Sequence, residues 1–433
     1  MPVSAIKRAI VGLLAFAASS AYAAPEGDIT YVVKPNDTLY DLTGEYLVNS
    51  SALAEIQRLN RVRKPRLMQI GRKLTIPRRL LKYRPVQLVL QNFSGAVRLS
   101  LRSRTITPAI GLAIREGVEI ETGRNSFVSI AGTGNSRVSI PSNSRARIID
   151  ARRYLINDQI DIQLRVLKGR GEVVAPKVEG EGRYRMGTPL AVTAVRGTDF
   201  RVGFEPEREL SLTEVVEGEV LVAAGGSDIA TGAGFGVAAT GATLGENEKL
   251  LPAPELIDPG KIQTDETLAF AIAPLSGASS YRTQIARDAG FIDVVTETID
   301  ASEEAQFPPL EDGRYFVRSR AISEVGLEGL SRVYSFRRKR LGIEASAEPA
   351  PFADAFKFAW RAQGTGDSTH AFQLWRAEDA GLLLVDEVGL NNSAILVSQL
   401  APGTYRWRVA SFQIDEGDVI KVWGPVQELT VSD

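Results

Sequence analysis

Apolar and polar residues between positions 28 and 80 follow two different periods. Short β-rich runs lie at 31–34 and 73–77, and a proline ends the second run, as is typical of strands. Between them, apolar residues recur at helical spacing and predict two helices, the second from Ser51 to near Asn60. The predicted order is strand, helix, helix, strand. The apolar helical positions are Leu39, Leu42, Tyr46 and Leu47, then Leu53, Ile56 and Leu59.

From residue 86 to residue 245 the pattern changes to alternation with a period of two, as in half-buried strands. Segments rich in Gly, Asn, Ser and Pro separate the alternating runs and have the composition of turns. Many short strands at intervals of about ten residues indicate an all-β sandwich, barrel or roll. The clearest runs are residues 97–102, 127–130, 137–140, 147–149 and 160–166.

A repeat occupies the C-terminal part, after a proline-rich hinge at 251–254. The tetrapeptide QIAR at 284–287 is followed by QLWR at 373–376, and a Gly-x-Tyr turn begins at both Gly313 and Gly403. A period of about 90 residues suits a β-sandwich domain. We therefore predict a mainly β multidomain chain that ends in two β-sandwiches, at residues 252–340 and 345–433.

Composition narrows the possible chemistry. The 433 residues include no cysteine and one histidine, His370, which excludes disulfides, cysteine nucleophiles, thiolate zinc sites and sites with several histidines. The 51 Lys and Arg residues balance 52 Asp and Glu residues, so overall charge gives no case for nucleic-acid binding. We predict no cofactor, no metal site and no nucleic-acid partner.

The first residues have the pattern of an export signal. Lys7 and Arg8 precede an apolar run at 9–18, and an A-x-A site follows at 21–23. We expect cleavage after Ala23, so that residues 1–23 are a signal peptide. A retained anchor is the alternative, but a membrane-spanning helix needs about 20 apolar residues. We therefore predict no stable membrane insertion and, for an exported chain without cysteine, a periplasmic location.

Residues 28–79 resemble the LysM family, whose small modules have a βααβ fold. Asn36 stands where the family usually has glycine, and asparagine tolerates left-handed backbone well. LysM modules bind glycans that contain N-acetylglucosamine, so the resemblance implies that the partner is the glycan strand of peptidoglycan. The matching residues are Tyr31, Val33, Asp37, Thr38, Leu39, Asn60, Ile70, Gly71, Leu74, Ile76 and Pro77.

The resemblance also implies where the ligand binds, in a groove between the loop after the first strand and the loop before the second. Short polar groups and backbone would bond sugar hydroxyls, and apolar side chains would cover ring faces. Two alternatives stay open: Leu39 and Ile70 can be core residues, and Asp37 can be a helix cap, as can Thr38. The expected glycan-binding residues are Asn36, Asp37, Thr38, Leu39, Leu67, Met68, Gln69 and Ile70.

A basic run overlaps this module. Residues 58–84 carry many Lys and Arg residues and no acidic residue. Such a run attracts anionic polymers or a membrane surface, and peptidoglycan stem peptides carry carboxylates. The alternative interpretation is a solvated surface and linker.

Residues 86–245 resemble the FecR domain. Segment 187–200 contains Thr-Pro, a small apolar strand, and Arg196-Gly197-Thr198 before an aromatic residue, and the flanks at 115–123 and 213–220 agree. The Arg-Gly-Thr group has either an architectural role or a ligand-binding one. FecR regulators relay a signal to a sigma factor through a membrane span, which this sequence lacks. The resemblance therefore implies a β-fold in the cell envelope.

The two C-terminal repeats resemble fibronectin type III-like modules. The tyrosines after the turns, Tyr315 and Tyr405, are predicted to pack with their hydroxyls bonded to backbone. We predict that Trp360 and Trp407 are core residues rather than sugar platforms, and that His370 lies at the surface or at a strand end. The basic segment 337–340 is predicted to be a solvated linker.

Three functional hypotheses follow. The first is an exported, non-enzymatic adaptor that binds peptidoglycan through residues 28–79 and presents β-domains to unidentified envelope proteins. The second is an envelope signalling or sensor component, in which a separate partner supplies the membrane span. The third is a cell-wall enzyme, which would need two carboxylates at a set separation. Glu205, Glu207 and Glu209 are the candidates, although alternating carboxylates usually mark a solvated face.

Overall fold

A computed structural model describes residues 28–134, 136–174, 183–195, 198–241, 243–351 and 355–432. In these ranges the chain is mainly β, with two α-helices near its start, which confirms the predicted fold class. The predicted signal peptide lies outside the described residues, as do Arg196 and Gly197 of the Arg-Gly-Thr group.

The N-terminal module has the predicted order. Strand β1 (Ile29–Val32) pairs in antiparallel fashion with β2 (Lys73–Ile76), and helices α1 (Leu39–Tyr46) and α2 (Ala52–Leu59) lie between them in sequence. Thr38 caps α1, because its hydroxyl accepts a hydrogen bond from the N–H of Asp41.

Asn60 fixes the end of α2 to the sheet. Its side-chain amide donates to the carbonyls of Ile56, at 3.0 Å, and Thr75, at 2.8 Å, while its Oδ1 accepts from the N–H of Thr75 at 2.6 Å. The core of the module includes Leu39, Ile56 and Leu74. Leu59 is 47% exposed whereas Ile56 is fully buried, so the apolar spacing of α2 extends beyond its buried face.

The middle of the chain forms what we call the β-domain, residues 83–249. A short 3-10 turn, Arg78–Leu80, leads into it, and a second lies at Pro206–Arg208. Its strands are β3 (Tyr83–Pro85), β4 (Leu88–Ser94), β5 (Val97–Leu101), β6 (Arg104–Ile106), β7 (Ala113–Ile114), β8 (Val118–Thr122), β9 (Phe127–Ala131), β10 (Arg137–Ile140), β11 (Arg145–Tyr154), β12 (Ile160–Val174), β13 (Arg183–Gly187), β14 (Ala191–Val195), β15 (Asp199–Glu205), β16 (Leu210–Glu217), β17 (Glu219–Ala224), β18 (Ser227–Gly232), β19 (Phe235–Thr240), β20 (Thr243–Leu244) and β21 (Glu248–Lys249).

The strands of the β-domain form a closed barrel built from two sheets, and the long strand β12 belongs to both. Its first part pairs with β11 and, in parallel, with β13, and its last part pairs with β10 and β15. The change occurs at Gly169, which has φ 72°. A Cβ there would lie 2.6 Å from the carbonyl oxygen of Asn143, so this crossing needs glycine.

Two sandwiches follow. In the first, one sheet has the order β24-β23-β26-β27 and β22 pairs with β25; in the second, β31-β30-β33-β34 packs with β28-β29-β32, and β35 also pairs with β33. Their strands are β22 (Leu268–Ala271), β23 (Ser280–Ala286), β24 (Val294–Asp300), β25 (Glu304–Phe307), β26 (Gly313–Ile322), β27 (Arg332–Arg338), β28 (Leu341–Pro349), β29 (Ala355–Gly364), β30 (Thr369–Arg376), β31 (Leu383–Leu390), β32 (Ala394–Ser398), β33 (Gly403–Asp415), β34 (Asp418–Trp423) and β35 (Gln427–Val431).

The predicted packing residues of the sandwiches are largely confirmed. The Tyr315 hydroxyl donates to the carbonyl of Glu311 at 3.1 Å, and that of Tyr405 donates to the carbonyl of Ala401 at 2.7 Å. Trp360 and Trp407 are both in the core of the second sandwich. His370 is the second residue of β30, which agrees with the predicted strand-end position, but it is 7% exposed and does not lie at the surface.

The segment predicted as a solvated linker at 337–340 is structured. Arg338 ends β27 with 1% of its surface exposed, and its guanidinium donates to the carbonyls of Gln263 and Asp265. Arg337 bonds Asp418 of the second sandwich at 2.9 Å. The basic segment therefore holds loops of both sandwiches instead of separating them.

The N-terminal module shares its core with the β-domain. Tyr154 and Ile156 pack into the module's apolar cluster. Arg78 is 6% exposed, bonds Gln159 at 3.2 Å and lies 3.7 Å from the Asp161 carboxylate. The interpretation of residues 58–84 as solvated surface and linker is therefore wrong at this end of the run.

Buried charges join the β-domain to the first sandwich. Glu328 of the first sandwich lies 2.9 Å from Arg170 and 2.7 Å from Arg282, and Glu172 of β12 lies 2.5 Å from Arg320. Each charge in such a buried cluster must keep its partner, because an unpaired charge in the interior is costly. The cluster therefore fixes the β-domain against the first sandwich. We call this cluster the ionic joint; its members are Arg170, Glu172, Arg201, Glu214, Arg282, Glu297, Arg318, Arg320 and Glu328.

Candidate functional site

Two backbone hydrogen bonds bring the two predicted groove loops side by side. The N–H of Leu39 donates to the carbonyl of Pro65 at 2.8 Å, and the N–H of Gly71 donates to the carbonyl of Val33 at 2.8 Å. The first loop, residues 34–38, and the second loop, residues 65–70, therefore form one continuous surface. The structure thus brings the predicted site residues together.

The first loop is held from within by Asp37. Its Oδ2 accepts from the Tyr31 hydroxyl at 2.8 Å and from the N–H of Lys34 at 2.6 Å. Burial and the hydrogen bond to Asp37 raise the pKa of Tyr31, which keeps the hydroxyl a donor. Asn36 is exposed in the left-handed region, with φ 69°, and its amide is free to face a ligand.

Thr38 and Leu39 turn away from the surface in different ways. The Thr38 hydroxyl caps α1 and donates to Asp41 at 2.6 Å. Leu39 is 1% exposed, so the core alternative holds for its side chain. Leu39 can reach a ligand only through its backbone.

The second loop exposes apolar side chains. Leu67 is 76% exposed and Ile70 is 63% exposed, so the core alternative is wrong for Ile70. Gln69 is also exposed, whereas Met68 is half-buried against the core of the module. Exposed apolar groups placed together are a usual sign of a binding surface.

Tyr40 and Arg66 complete the surface, although neither is among the glycan-binding residues expected from the LysM resemblance. Tyr40 is 49% exposed, and the Arg66 guanidinium lies 5.6 Å from the centre of its ring. The helical spacing that selected Leu39 and Leu42 already places Tyr40 off the buried face. We call the exposed set the loop surface: Lys34, Asn36, Tyr40, Arg66, Leu67, Gln69 and Ile70.

The loop surface suits a polymer of uncharged polar units with apolar faces that also carries carboxylate groups. The amides of Asn36 and Gln69 both donate and accept hydrogen bonds, and Leu67 and Ile70 offer apolar contact. Arg66 and Lys34 add positive charge that attracts carboxylates.

Two of the three acidic residues considered for catalysis are paired with basic neighbours. Glu205 bonds Arg208 at 3.0 Å, and Glu207 bonds Lys168 at 3.2 Å. Glu209 follows the 3-10 turn in the left-handed region, with φ 46°. These contacts are those of a solvated turn, as the sequence pattern favoured.

Thr198 is the described member of the Arg-Gly-Thr group. It is 2% exposed, directly before β15. Its burial agrees with an architectural role for this residue.

Two family models match the chain. The model described as LysM domain matches residues 31–77, and that described as FecR protein matches residues 118–221. No curated protein matches the chain. Within the described ranges, no helix is both long and apolar enough to cross a membrane.

Several solved structures are similar to parts of the chain. A Parabacteroides distasonis protein described as a candidate anti-sigma factor is 19% identical, over 30% of this chain and 58% of its own, with a TM-score of 0.25. The chain thus spans less than two thirds of that protein. The FN1-FN3 domains of chicken CNTN1 are 11% identical over 72% of this chain and 97% of theirs, with a TM-score of 0.23. Fibronectin(III)-like modules of Clostridium thermocellum CbhA are 12% identical over 41% and 94%, with a TM-score of 0.21.

Proposed function

We propose that this chain, which carries a LysM domain and a FecR domain, is a non-enzymatic adaptor of the cell envelope. It binds peptidoglycan through the loop surface, where the ligand is a glycan strand that contains N-acetylglucosamine. The β-domain and the two sandwiches present surfaces to envelope proteins. The protein is exported, with cleavage after Ala23, and acts in the periplasm.

The observation that supports glycan binding is the exposure of Leu67 and Ile70 in a loop whose backbone is fixed. Hydrogen bonds from Leu39 to Pro65 and from Gly71 to Val33 already order this loop. The two apolar side chains are therefore not needed to fold it, and remain in water at a cost. A sugar ring that packs on Leu67 and Ile70 removes from water both these side chains and the apolar face of the ring.

A titration with the N-acetylglucosamine tetramer tests this binding mode. In NMR spectra of the full chain, we expect the ligand to shift amide signals of residues 34–40 and 65–70. Leu67→Asp and Ile70→Asp should each weaken binding at least about tenfold, since each puts a charge where a ring lies. Val48→Asp is the matched control, because Val48 is 48% exposed outside the loop surface. Equal affinity of Ile70→Asp and the parent would refute the proposed site.

The second candidate function is envelope signalling, which the FecR match at 118–221 favours. The β-domain would then recognise a ligand or receptor, and a separate membrane-spanning protein would carry the signal inward. Transcript profiling of cells with and without the gene tests this candidate. A change confined to one regulon, retained when Ile70→Asp replaces the parent chain, would favour signalling over attachment.

A further inference from the structure

The two sandwiches carry the same polar triad on the outer face of equivalent strands. In the first sandwich, Gln284 on β23 accepts from Arg318 at 2.9 Å and donates to Glu297 on β24 at 2.8 Å. The strand registers pair Gln284 with both Glu297 and Arg318. This triad therefore joins three neighbouring strands.

The second sandwich repeats the triad. Gln373 on β30 accepts from Arg408 at 2.9 Å and donates to Asp386 on β31 at 3.1 Å. Its strand registers pair Gln373 with both of these residues. Two residues along, Leu383 pairs with Trp375 as Val294 pairs with Ala286. The two faces therefore correspond position by position in register.

In the first sandwich this face is a docking surface that the β-domain covers. Phe127 packs on Ala286 and Val294, and Glu172 lies 3.4 Å from Arg318. Val294 is consequently 7% exposed.

The β-domain also reaches the outer backbone and the carboxylate of β24. The Ser94 hydroxyl donates to the carbonyl of Val294 at 2.9 Å, and the N–H of Glu297 donates to Asn125 Oδ1 at 3.2 Å. The Ser142 hydroxyl donates to the Glu297 carboxylate. The free edge of this sheet is thus closed by side chains of another domain.

In the second sandwich the same face is open. Leu383 is 38% exposed, and Leu384 and Val388 on the same strand are 45% and 68% exposed. Strand β31 pairs only with β30 among the described strands. An apolar, unpaired edge strand is a template for association. Arg408 bonds Gln373 and lies 4.2 Å from the centre of the Trp423 ring, and it forms no ion pair with a carboxylate of the described ranges.

We infer that the outer face of β31 is a docking site for a protein partner that covers it as the β-domain covers β24. That partner presents an apolar side chain to Leu383, a hydroxyl or amide to the backbone of β31, and a carboxylate to Arg408. The inference goes beyond glycan binding, because it concerns the other end of the chain and does not depend on the loop surface.

Two differences between the copies indicate that this docking is reversible. Arg282 and Arg320 of the ionic joint correspond in register to Ala371 and Ala410. Trp375 also occupies the position of Ala286, where Phe127 enters in the first copy. The second face therefore lacks the buried arginines that form ion pairs in the first interface. It also lacks the small residue on which Phe127 packs.

The chain itself supplies a probe and a selective readout. A synthetic peptide of residues 124–131 (RNSFVSIA) contains Asn125 and Phe127, which cover β24 in the first copy. All 4 tryptophans of the chain lie in the second sandwich, two of them beside Arg408. Intrinsic tryptophan fluorescence of the full chain therefore reports binding at this face.

We expect the peptide to change tryptophan emission in a saturable manner. Leu383→Asp and Val388→Asp should each weaken the interaction at least about tenfold, as loss of a central apolar contact does. The peptide with Phe127→Ala should bind more weakly. Ile414→Asp is the matched control, since Ile414 is 79% exposed in the same sandwich and should leave binding unchanged.

An unchanged affinity in both edge variants, or no saturable change in the parent chain, would overturn the inference. A response to the N-acetylglucosamine tetramer that Leu383→Asp abolishes would show instead that this face binds glycan, and would also overturn it. Neither result bears on the loop surface, whose variants contain no substitution in the second sandwich.

Discussion

Single residues in the two loops of the LysM module either hold the fold or are exposed for the proposed ligand contact, and their exposure separates the two. Asp37 and Leu39 were both selected as glycan-binding residues, yet Asp37 bonds Tyr31 and Lys34 within its own loop and Leu39 lies in the core. Tyr40 was missed, although it is exposed beside them. A sequence shows helical spacing, but it does not show which loop atoms another loop will cover.

Asn60 is the residue whose loss should damage the LysM fold most specifically. Asn60→Ala removes two hydrogen bonds to Thr75 of β2 and one to Ile56 of α2, and we expect a loss of about 1–3 kcal/mol in the free energy of unfolding. Both described α-helices lie in this module, so helical circular dichroism during urea unfolding reports it. Tryptophan emission, which reports the second sandwich, is the internal control and should keep its midpoint. An unchanged helical transition would contradict the assigned role.

At the scale of elements, alternation and turn residues predicted the strands well, but not the contacts between domains. The runs at 127–130 and 137–140 correspond closely to β9 and β10. The segment 337–340 was assigned to a linker because it is strongly basic. Its buried arginine, Arg338, is explained by backbone carbonyls far along the sequence, and no local pattern shows these partners.

The stability of the ionic joint should decrease when any one of its charged groups is removed. Glu328→Gln leaves Arg170, Arg282 and Arg320 facing a neutral group in the interior, and we expect a loss of about 3–5 kcal/mol. Glu416→Gln is the matched control, since it removes an exposed partner of Arg314 and should change stability little. Urea unfolding followed by far-ultraviolet circular dichroism measures both. Similar midpoints for the two variants would contradict a buried joint.

The same joint should weaken in acid. Burial alone would raise the pKa of Glu172, but attraction to Arg320 and Arg318 outweighs it and holds the pKa below its ordinary value of 4.5. The pKa of Glu328 is lowered in the same way by Arg170 and Arg282. Their stabilisation is therefore present above pH 4.5 and is lost as the pH falls towards the folded values.

Asp199 has the opposite effect on stability, because burial raises its pKa. The cost of burying its charged carboxylate is removed when the group is protonated in acid. The pKa values of two carboxylates are lowered and that of one is raised. We therefore expect the urea concentration at the unfolding midpoint to decrease once the pH is below about 4.5. Glu328→Gln should reduce this pH dependence. A midpoint that is constant from neutral pH into this range would show that the lowered pKa values do not control the interface.

In the whole molecule, each domain contacts the next one along the chain. The LysM module packs on Tyr154 and Ile156, the β-domain meets the first sandwich through the ionic joint, and Arg337 bonds the second sandwich at Asp418. The sequence predicted the order of these units from their periods. It did not predict that they touch, because each interface joins residues distant in sequence.

This arrangement decides how peptidoglycan binding should be tested. Deleting the whole module would expose Tyr154 and Ile156 and would remove Arg78 from Asp161, so lost binding could reflect damage to the β-domain. Substitutions at Leu67 and Ile70 avoid this problem, because both side chains point into solvent.

Co-sedimentation of the mature full chain with purified peptidoglycan sacculi is the decisive test of glycan binding by the loop surface. We predict that the parent and Val48→Asp bind, that binding survives moderate salt, and that the double variant Leu67→Asp/Ile70→Asp stays in the supernatant. Screening by salt separates contact with Leu67 and Ile70 from general attraction to the basic run at 58–84, since only charge attraction is lost as ionic strength rises. Sedimentation of the double variant with the sacculi, or release of the parent by moderate salt, would contradict glycan binding by the loop surface.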